Sequence, residues 1–240
     1  MIIQKKYSPN FSKKVRKNKE IKAIIIHYTG MQSKIESLKR LLNPKFKVSC
    51  HYFIDRKGKI LRLVNDNRIA WHAGKSKWKN FNNLNENSIG IELVNKGHSI
   101  TYEKFTDVQI NQLIKLSLFL KKKYKIKNSN ILGHSDIAPL RKFDPGEKFP
   151  WDKLKKKQIG IWYKRMNIKH DKLGIQKSKK LFFKNLFKIG YRYFSKNKRT
   201  AKDALVVKAF QRHFSPKNVT GIIDKKTYEI SHFLAHNVNN

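Results

Sequence analysis

The sequence predicts an α/β domain followed by a small all-α module of three helices. Three observations carry this. Up to Trp151, short apolar runs bounded by turn residues alternate with capped amphipathic stretches. A charged stretch, Lys153 to Lys172, then breaks the alternation. Beyond it Leu181, Phe182, Leu186, Phe187 and Ile189 recur at helical spacing. The length of 240 residues suits one medium domain plus a small one, at roughly 100–200 residues per domain. The expected divisions are a basic N-terminal arm (1–20), the α/β domain (21–163), a charged linker (164–176) and the helical module (177–240).

Each element has a local cause. Residues 1–20 are basic and polar and read as an extended arm. Ile21 to Tyr28 is a continuous apolar run that suits a strand buried on both faces, with His27 and Thr29 on one side and Ile26 and Tyr28 on the other. Ser33-Lys34-Ile35-Glu36 is a capping box that starts a helix to about Leu42, and Pro44 ends it. Ser49–Ile54 and Ile60–Val64 read as a hairpin turning at Asp55-Arg56-Lys57-Gly58. Ser88 to Val94 is another strand, with Ile89, Ile91 and Leu93 on one face and Gly90, Glu92 and Val94 on the other. Thr106-Asp107-Val108-Gln109 is a second capping box, stapled by Phe105 and Ile110, for a helix to about Tyr124. In the module, Gly190 closes the first helix, Ala204–Phe214 makes the second, and Asp224 caps the third, which runs to Leu234.

Several polar residues stand out against this frame. Glu92 lies in an otherwise apolar strand, so its carboxylate has to be paired or functional, and Gly90 beside it leaves room for a ligand. Gly133-His134-Ser135-Asp136-Ile137-Ala138-Pro139, followed by Arg141-Lys142-Phe143-Asp144-Pro145-Gly146, gathers an imidazole, a carboxylate and an ammonium between backbone-restricting residues. His134 and Asp144 with His27 make a His, His, Asp set suited to a catalytic zinc, which takes three protein ligands and keeps an open position. Such a metal lowers the pKa of its water to about 7 and polarises a carbonyl oxygen. Glu92 then suits proton transfer from that water to a leaving amine, and Lys142 suits a developing oxyanion. Together these are the parts of metal-assisted amide hydrolysis.

Four ordered motifs carry a family resemblance: Ile26-His27-Tyr28-Thr29, Ala70-Trp71-His72-Ala73-Gly74, Ser88-Ile89-Gly90-Ile91-Glu92, and the stretch from Gly133 through Gly146 to Phe149-Pro150-Trp151. Over roughly residues 20–163 the chain resembles the type 2 zinc N-acetylmuramoyl-L-alanine amidases, in their AmpD/AmiD-like branch. The resemblance implies a mixed central β-sheet flanked by helices. It also implies cleavage of the amide between N-acetylmuramic acid, or its 1,6-anhydro form, and L-alanine. It implies zinc at His27, His134 and Asp144, with Glu92 and Lys142 catalytic, and it puts Trp71, His72 and Trp78 near the substrate cleft. His51 is a further candidate for substrate contact. Phage lysozyme-type relatives commonly carry Cys where Asp144 stands. Phe210-Gln211 and Gly221-Ile222-Ile223-Asp224-Lys225-Lys226-Thr227 resemble the three-helix peptidoglycan-binding domain, although the Phe- and Lys-rich first helix departs from its pattern.

Charge and cysteine bound the partners. Lys+Arg number 55 against 16 Asp+Glu, a formal +39 spread along the whole chain, which favours anionic wall polymers beside peptidoglycan and muropeptides. No nucleic-acid motif accompanies the charge, so no specific nucleic acid is expected. Cys50 is the only cysteine and reads as a packed thiol, leaving no intrachain disulfide. His98, His170, His213, His232 and His236 have no motif partners and read as surface residues. No run approaches the roughly 20 apolar residues of a membrane span. The opening residues lack the apolar core of a secretory signal, so the default expectation is a cytoplasmic monomer, or an envelope protein exported by another route. A prophage endolysin and a non-catalytic peptidoglycan-recognition protein are the alternatives; the full ligand set argues against the second.

Overall fold

The computed structural model describes residues 1–164, 175–195 and 198–237. In chain order these include strands β1 (Ile3–Lys5), β2 (Phe11–Val15) and β3 (Ala23–Tyr28), helix α1 (Lys34–Leu42), and strands β4 (Tyr52–Ile54), β5 (Ile60–Arg62), β6 (Arg68–Ala70), β7 (Lys77–Trp78), β8 (Phe81–Asn82) and β9 (Ser88–Leu93). Helix α2 (Asp107–Tyr124) and strand β10 (Ile131–Gly133) follow, then helices α3 (His134–Ile137), α4 (Trp151–Lys156), α5 (Ile175–Ile189), α6 (Asp203–Phe214) and α7 (Lys225–Asn237).

The main sheet has the order β1-β5-β4-β9-β3-β10. β4, β9, β3 and β10 run parallel, β5 is antiparallel to β4, and β1 is parallel to β5, so the sheet is mixed as expected. The isoleucines of β3 explain its central place, because both of its faces are covered. Ile24 and Ile26 join Leu113, Leu116 and Leu120 of α2 in one apolar cluster. Ala23 and Ile25 face the other way, into a cluster with Leu132, Ile137, Phe182, Leu186 and Phe210. The caps form as the sequence predicts: Ser33 Oγ accepts the Glu36 N–H at 3.1 Å, and Thr106 Oγ1 accepts that of Gln109 at 3.2 Å.

The N-terminal residues are not a free arm. β1 pairs with β5 and β2 pairs with β6, so both are built into the domain. Arg16, buried, anchors them: its guanidinium donates to the carbonyls of Asp66, Asn85, Glu86 and Ser88 at 2.8–3.1 Å. Here backbone pairing with distant strands decides what the local lysine-rich composition does not.

The C-terminal helices form as expected, with Asp224 Oδ1 accepting the Thr227 N–H at 2.7 Å. Their matched motif residues hold the module itself together. The buried Gln211 side chain accepts from the Gly221 N–H at 2.8 Å and donates to the Ile222 carbonyl at 2.8 Å, clamping the turn before α7. The helices also do not stand apart. Phe182, Leu186, Phe210 and Leu234 share one buried cluster with Ile25, Leu132 and Ile137 of the α/β domain. At roughly 1.5–3 kcal/mol per buried side chain, this is a packed interface rather than a tether. Most of the expected linker, residues 165–174, lies outside the described residues; α5 begins at Ile175.

Candidate metal centre and its supports

β3 and β10 are parallel neighbours, with Gly133 in register with Ile26. The residues that follow these two positions, His27 and His134, therefore emerge at the same carboxyl end of the sheet. Asp144 is drawn to them by the loop after α3, where the Ser135 N–H donates to the Asp144 carbonyl at 2.9 Å. His27 Nδ1 lies 3.0 Å from His134 Nδ1 and 2.9 Å from Asp144 Oδ2, and His134 Nδ1 lies 3.1 Å from the same oxygen. All three residues are buried. Donors at zinc bond lengths of about 2.0–2.1 Å in a tetrahedron stand about 3.3 Å apart, so this triangle fits a small cation with shifts of a few tenths of an ångström.

The hydrogen bonds behind the triangle assign the tautomers. Ser88 Oγ–H donates to the Leu84 carbonyl, and His72 Nε2 lies 3.2 Å from Ser88 Oγ. His72 Nε2–H therefore donates to the serine, and its Nδ1 accepts from His27 Nε2–H at 3.0 Å. His27 Nδ1 is left bare. His134 Nε2–H donates to the Ala73 carbonyl at 3.0 Å, leaving His134 Nδ1 bare as well. Two lone pairs and a carboxylate oxygen converge on one point, which is what a cation requires.

Electrostatics agree. Burial pushes the His27 imidazole down to about 4, with His134 adding to the effect and Asp144 opposing it. Burial alone would raise the Asp144 carboxyl, but His134 and His27 outweigh it and hold it well below the usual carboxylate range. Both groups are thus in the deprotonated forms that bind metal. Glu92 is in register with His27 on the adjacent strand β9. Its Oε2 is buried with no hydrogen-bond partner among the described residues. Burial, reinforced by Asp144, pushes its carboxyl up to about 8, while the charge of Lys142 pulls the other way.

Two expected substrate contacts need correction. His51 is fully buried: its Nδ1 accepts the Gly90 N–H at 3.0 Å, and its Nε2 faces the Arg68 carbonyl at 3.1 Å. His72 is also buried, and its Nδ1 meets His27 Nε2 at 3.0 Å. Trp78 belongs to the core, edge-on to Tyr191 at 4.9 Å. Trp71 keeps a partly exposed position. His213, read as a surface residue, is buried and pairs with Asp136 at 2.7 Å. The available signal was its helical spacing, i+7 from Val206 and i+3 from Phe210, which sets it on the apolar face of α6. His98 is exposed, as expected, and there meets Tyr28 at 2.8 Å and Glu147 at 3.0 Å; His170 lies outside the described residues.

A buried His, His, Asp triangle at the carboxyl end of a mixed sheet, with a buried, unpartnered carboxyl oxygen on the neighbouring strand, has the parts that metal-assisted hydrolysis requires. The sequence profile described as N-acetylmuramoyl-L-alanine amidase matches residues 17–147, and the chain belongs to that family. Among its relatives, the N-acetylmuramoyl-L-alanine amidase AmiD of Escherichia coli is 34% identical over 229 residues, which span 89% of this chain and 82% of AmiD. The 1,6-anhydro-N-acetylmuramyl-L-alanine amidase AmpD of Haemophilus influenzae is 34% identical over 164 residues, 61% of this chain and 86% of AmpD. Solved structures agree over both parts of the molecule. AmpDH3 from Pseudomonas aeruginosa superposes with a TM-score of 0.83 at 30% identity, covering 98% of this chain and 96% of its own. AmiD, solved with the substrate anhydro-N-acetylmuramic acid-L-Ala-D-γ-Glu-L-Lys, superposes with a TM-score of 0.79 at 31% identity, covering 95% and 93%.

Proposed function

We propose that this amidase holds one zinc ion between His27 Nδ1, His134 Nδ1 and Asp144 Oδ2 and cleaves the bond between the lactyl carbonyl of N-acetylmuramic acid, or its 1,6-anhydro form, and L-alanine. The observation that carries the reading is the pair of bare Nδ1 atoms converging with the Asp144 carboxylate. When bound, the ion supplies Lewis-acid polarisation of a carbonyl and acidifies a water. Glu92 takes a proton from the attacking water and delivers it to the leaving amine of L-alanine. An acid poised near neutrality by burial serves both halves of that exchange. Lys142, whose charge reaches both Glu92 and His27, faces the oxyanion.

A groove of about 380 Å³ lies beyond the carboxyl ends of β3, β4 and β9, at the same end of the sheet as the site but with none of His27, Glu92, His134, Lys142 or Asp144 in its lining, and suits a more distant part of the substrate. Met31 and Val94 give it apolar wall; Lys34 and Arg56 are paired there with Asp55 and Glu103, so the positive charge it offers a stem-peptide carboxylate comes from Lys57 and Lys96. Trp71 remains a candidate for substrate contact. The C-terminal helices read as a peptidoglycan-contacting part, and the +39 charge adds a salt-dependent attraction to anionic wall polymers. The AmpD and AmiD relatives favour muropeptide turnover and recycling; an endolysin would use the same chemistry. Among the described residues no helix is long and apolar enough to cross a membrane.

The test is incubation of the purified chain with an anhydro-muropeptide, with mass spectrometry of the products. Free stem peptide and anhydro-N-acetylmuramic acid are expected, abolished by chelation and restored by zinc. Cleavage at a different bond would overturn the assignment.

A further inference from the structure

Asp136 takes no part in the chemistry above, yet it is among the most completely enclosed polar residues of the chain, at 1% exposure. Its Oδ2 accepts the Gly133 N–H at 2.8 Å and lies 2.7 Å from His213 Nδ1, and its Oδ1 accepts the Tyr191 hydroxyl at 2.5 Å. The first of these donors belongs to the last residue of β10, directly before His134. The other two come from the C-terminal part, Tyr191 just after α5 and His213 on α6. Aromatic rings seal the contact. His213 is stacked between Trp151 at 3.8 Å and Phe214 at 4.0 Å, and Tyr191 lies edge-on to Trp78 and Phe210.

A carboxylate this deep is tolerated only with its donors in place. α3 is a single turn, too short to hold its own conformation, and His134 is its first residue. What clamps Asp136 therefore decides where His134 points. The same turn holds Asp144 through the Ser135 N–H, so a shift of α3 moves two of the three donors at once. We infer that Tyr191 and His213 are positioning residues for the metal centre: the C-terminal helices complete it by fixing Asp136, and with it the direction of His134 Nδ1. This rests on the proposed metal site of His27, His134 and Asp144.

The test uses the full chain with Tyr191→Phe, His213→Leu and His213→Asn. Zinc affinity is read by competition with a chromophoric chelator, and site geometry by the visible spectrum of the cobalt(II) form. Tyr191→Phe and His213→Leu are expected to weaken zinc about 10–100-fold, the usual effect of losing a group behind a ligand, and to alter the cobalt bands. His213→Asn, whose amide N–H stands where Nδ1–H does, should recover most of the affinity. Leu234→Ala, in the shared core on α7 and without a bond to Asp136, should lower the melting temperature and leave zinc affinity unchanged. If His213→Leu does not fold, Tyr191→Phe, which removes one hydroxyl, decides the matter. Wild-type affinity and cobalt spectrum in Tyr191→Phe would overturn the inference. So would equal weakening by Leu234→Ala, since general loosening would then be the cause. Failure of the underlying metal site looks different: Asp144→Ala would keep zinc at full stoichiometry and affinity whatever Tyr191 does.

Discussion

His72 Nδ1 lies 3.0 Å from His27 Nε2, and the His72 ring fills the space that a side chain on Gly90 would need. A Cβ at Gly90 would come within 2.3 Å of His72 Cγ. The glycine is there for room and not for an unusual backbone angle. His27, His72 and Ser88 form a stack of donors that ends on the Leu84 carbonyl, and Gly90 is the gap that lets it close.

Gly90→Ala is accordingly expected to destabilise the protein by about 1–3 kcal/mol, the usual range for overpacking, and to weaken zinc about tenfold by turning His27. Urea unfolding and chelator competition measure the two effects. Normal zinc affinity in this variant would mean that His72 does not orient the ligand.

Glu92→Gln should keep fold and zinc and lose turnover by about 10²–10⁴-fold, because only proton transfer is removed. Release of stem peptide from a soluble muropeptide gives kcat and KM separately. A near-normal kcat would assign the base elsewhere. Lys142→Ala should lower kcat more than it raises KM.

Arg16→Ala should cost about 3–5 kcal/mol, since it strips three buried carbonyls and one partly buried one of a charged donor and empties its site. Burial lowers the Arg16 guanidinium to about 10, so it is charged at neutral pH and its bonds are charge-assisted. Equilibrium denaturation checks this, and a loss below 1 kcal/mol would mean water replaces the side chain.

Acid should destabilise the metal-free protein over a defined window. Burial holds His27 at about 4 and His51 at about 3, against 6.5 when unfolded. Below pH 6.5 the unfolded chain takes up protons on these rings while the folded protein does not. Stability is therefore full above 6.5 and falls as pH drops toward about 4. Calorimetry at fixed pH intervals should show this slope, with proton uptake on unfolding at pH 5. A flat profile between pH 7 and 4.5 would contradict neutral burial.

Wherever a local pattern reports a local event, the sequence was enough. Isoleucines marked β3 and β9, serine and threonine marked the helix starts, and the Gly133–Gly146 stretch marked the loop that bears His134 and Asp144. Tertiary pairing left no such trace. β1 and β2 are short, lysine-bearing and partly exposed, and their partners lie more than fifty residues away. His51 and His72 looked like cleft residues because an imidazole reads as polar whether it faces solvent or a buried donor. Asp136 and His213 stand 77 residues apart, a distance over which no periodicity connects them.

The shared apolar cluster also has a consequence for synthesis. The chain leaves the ribosome with Ala23, Ile25, Leu132 and Ile137 before the helices that cover them. At about 5–20 residues per second, that greasy face of the nascent sheet stays bare for several seconds while the rest is translated. During this interval the newborn protein is most exposed to misassembly and is a natural client for a chaperone. A chain released after Trp162 would keep Ala23, Ile25, Leu132 and Ile137 without the helices that cover them.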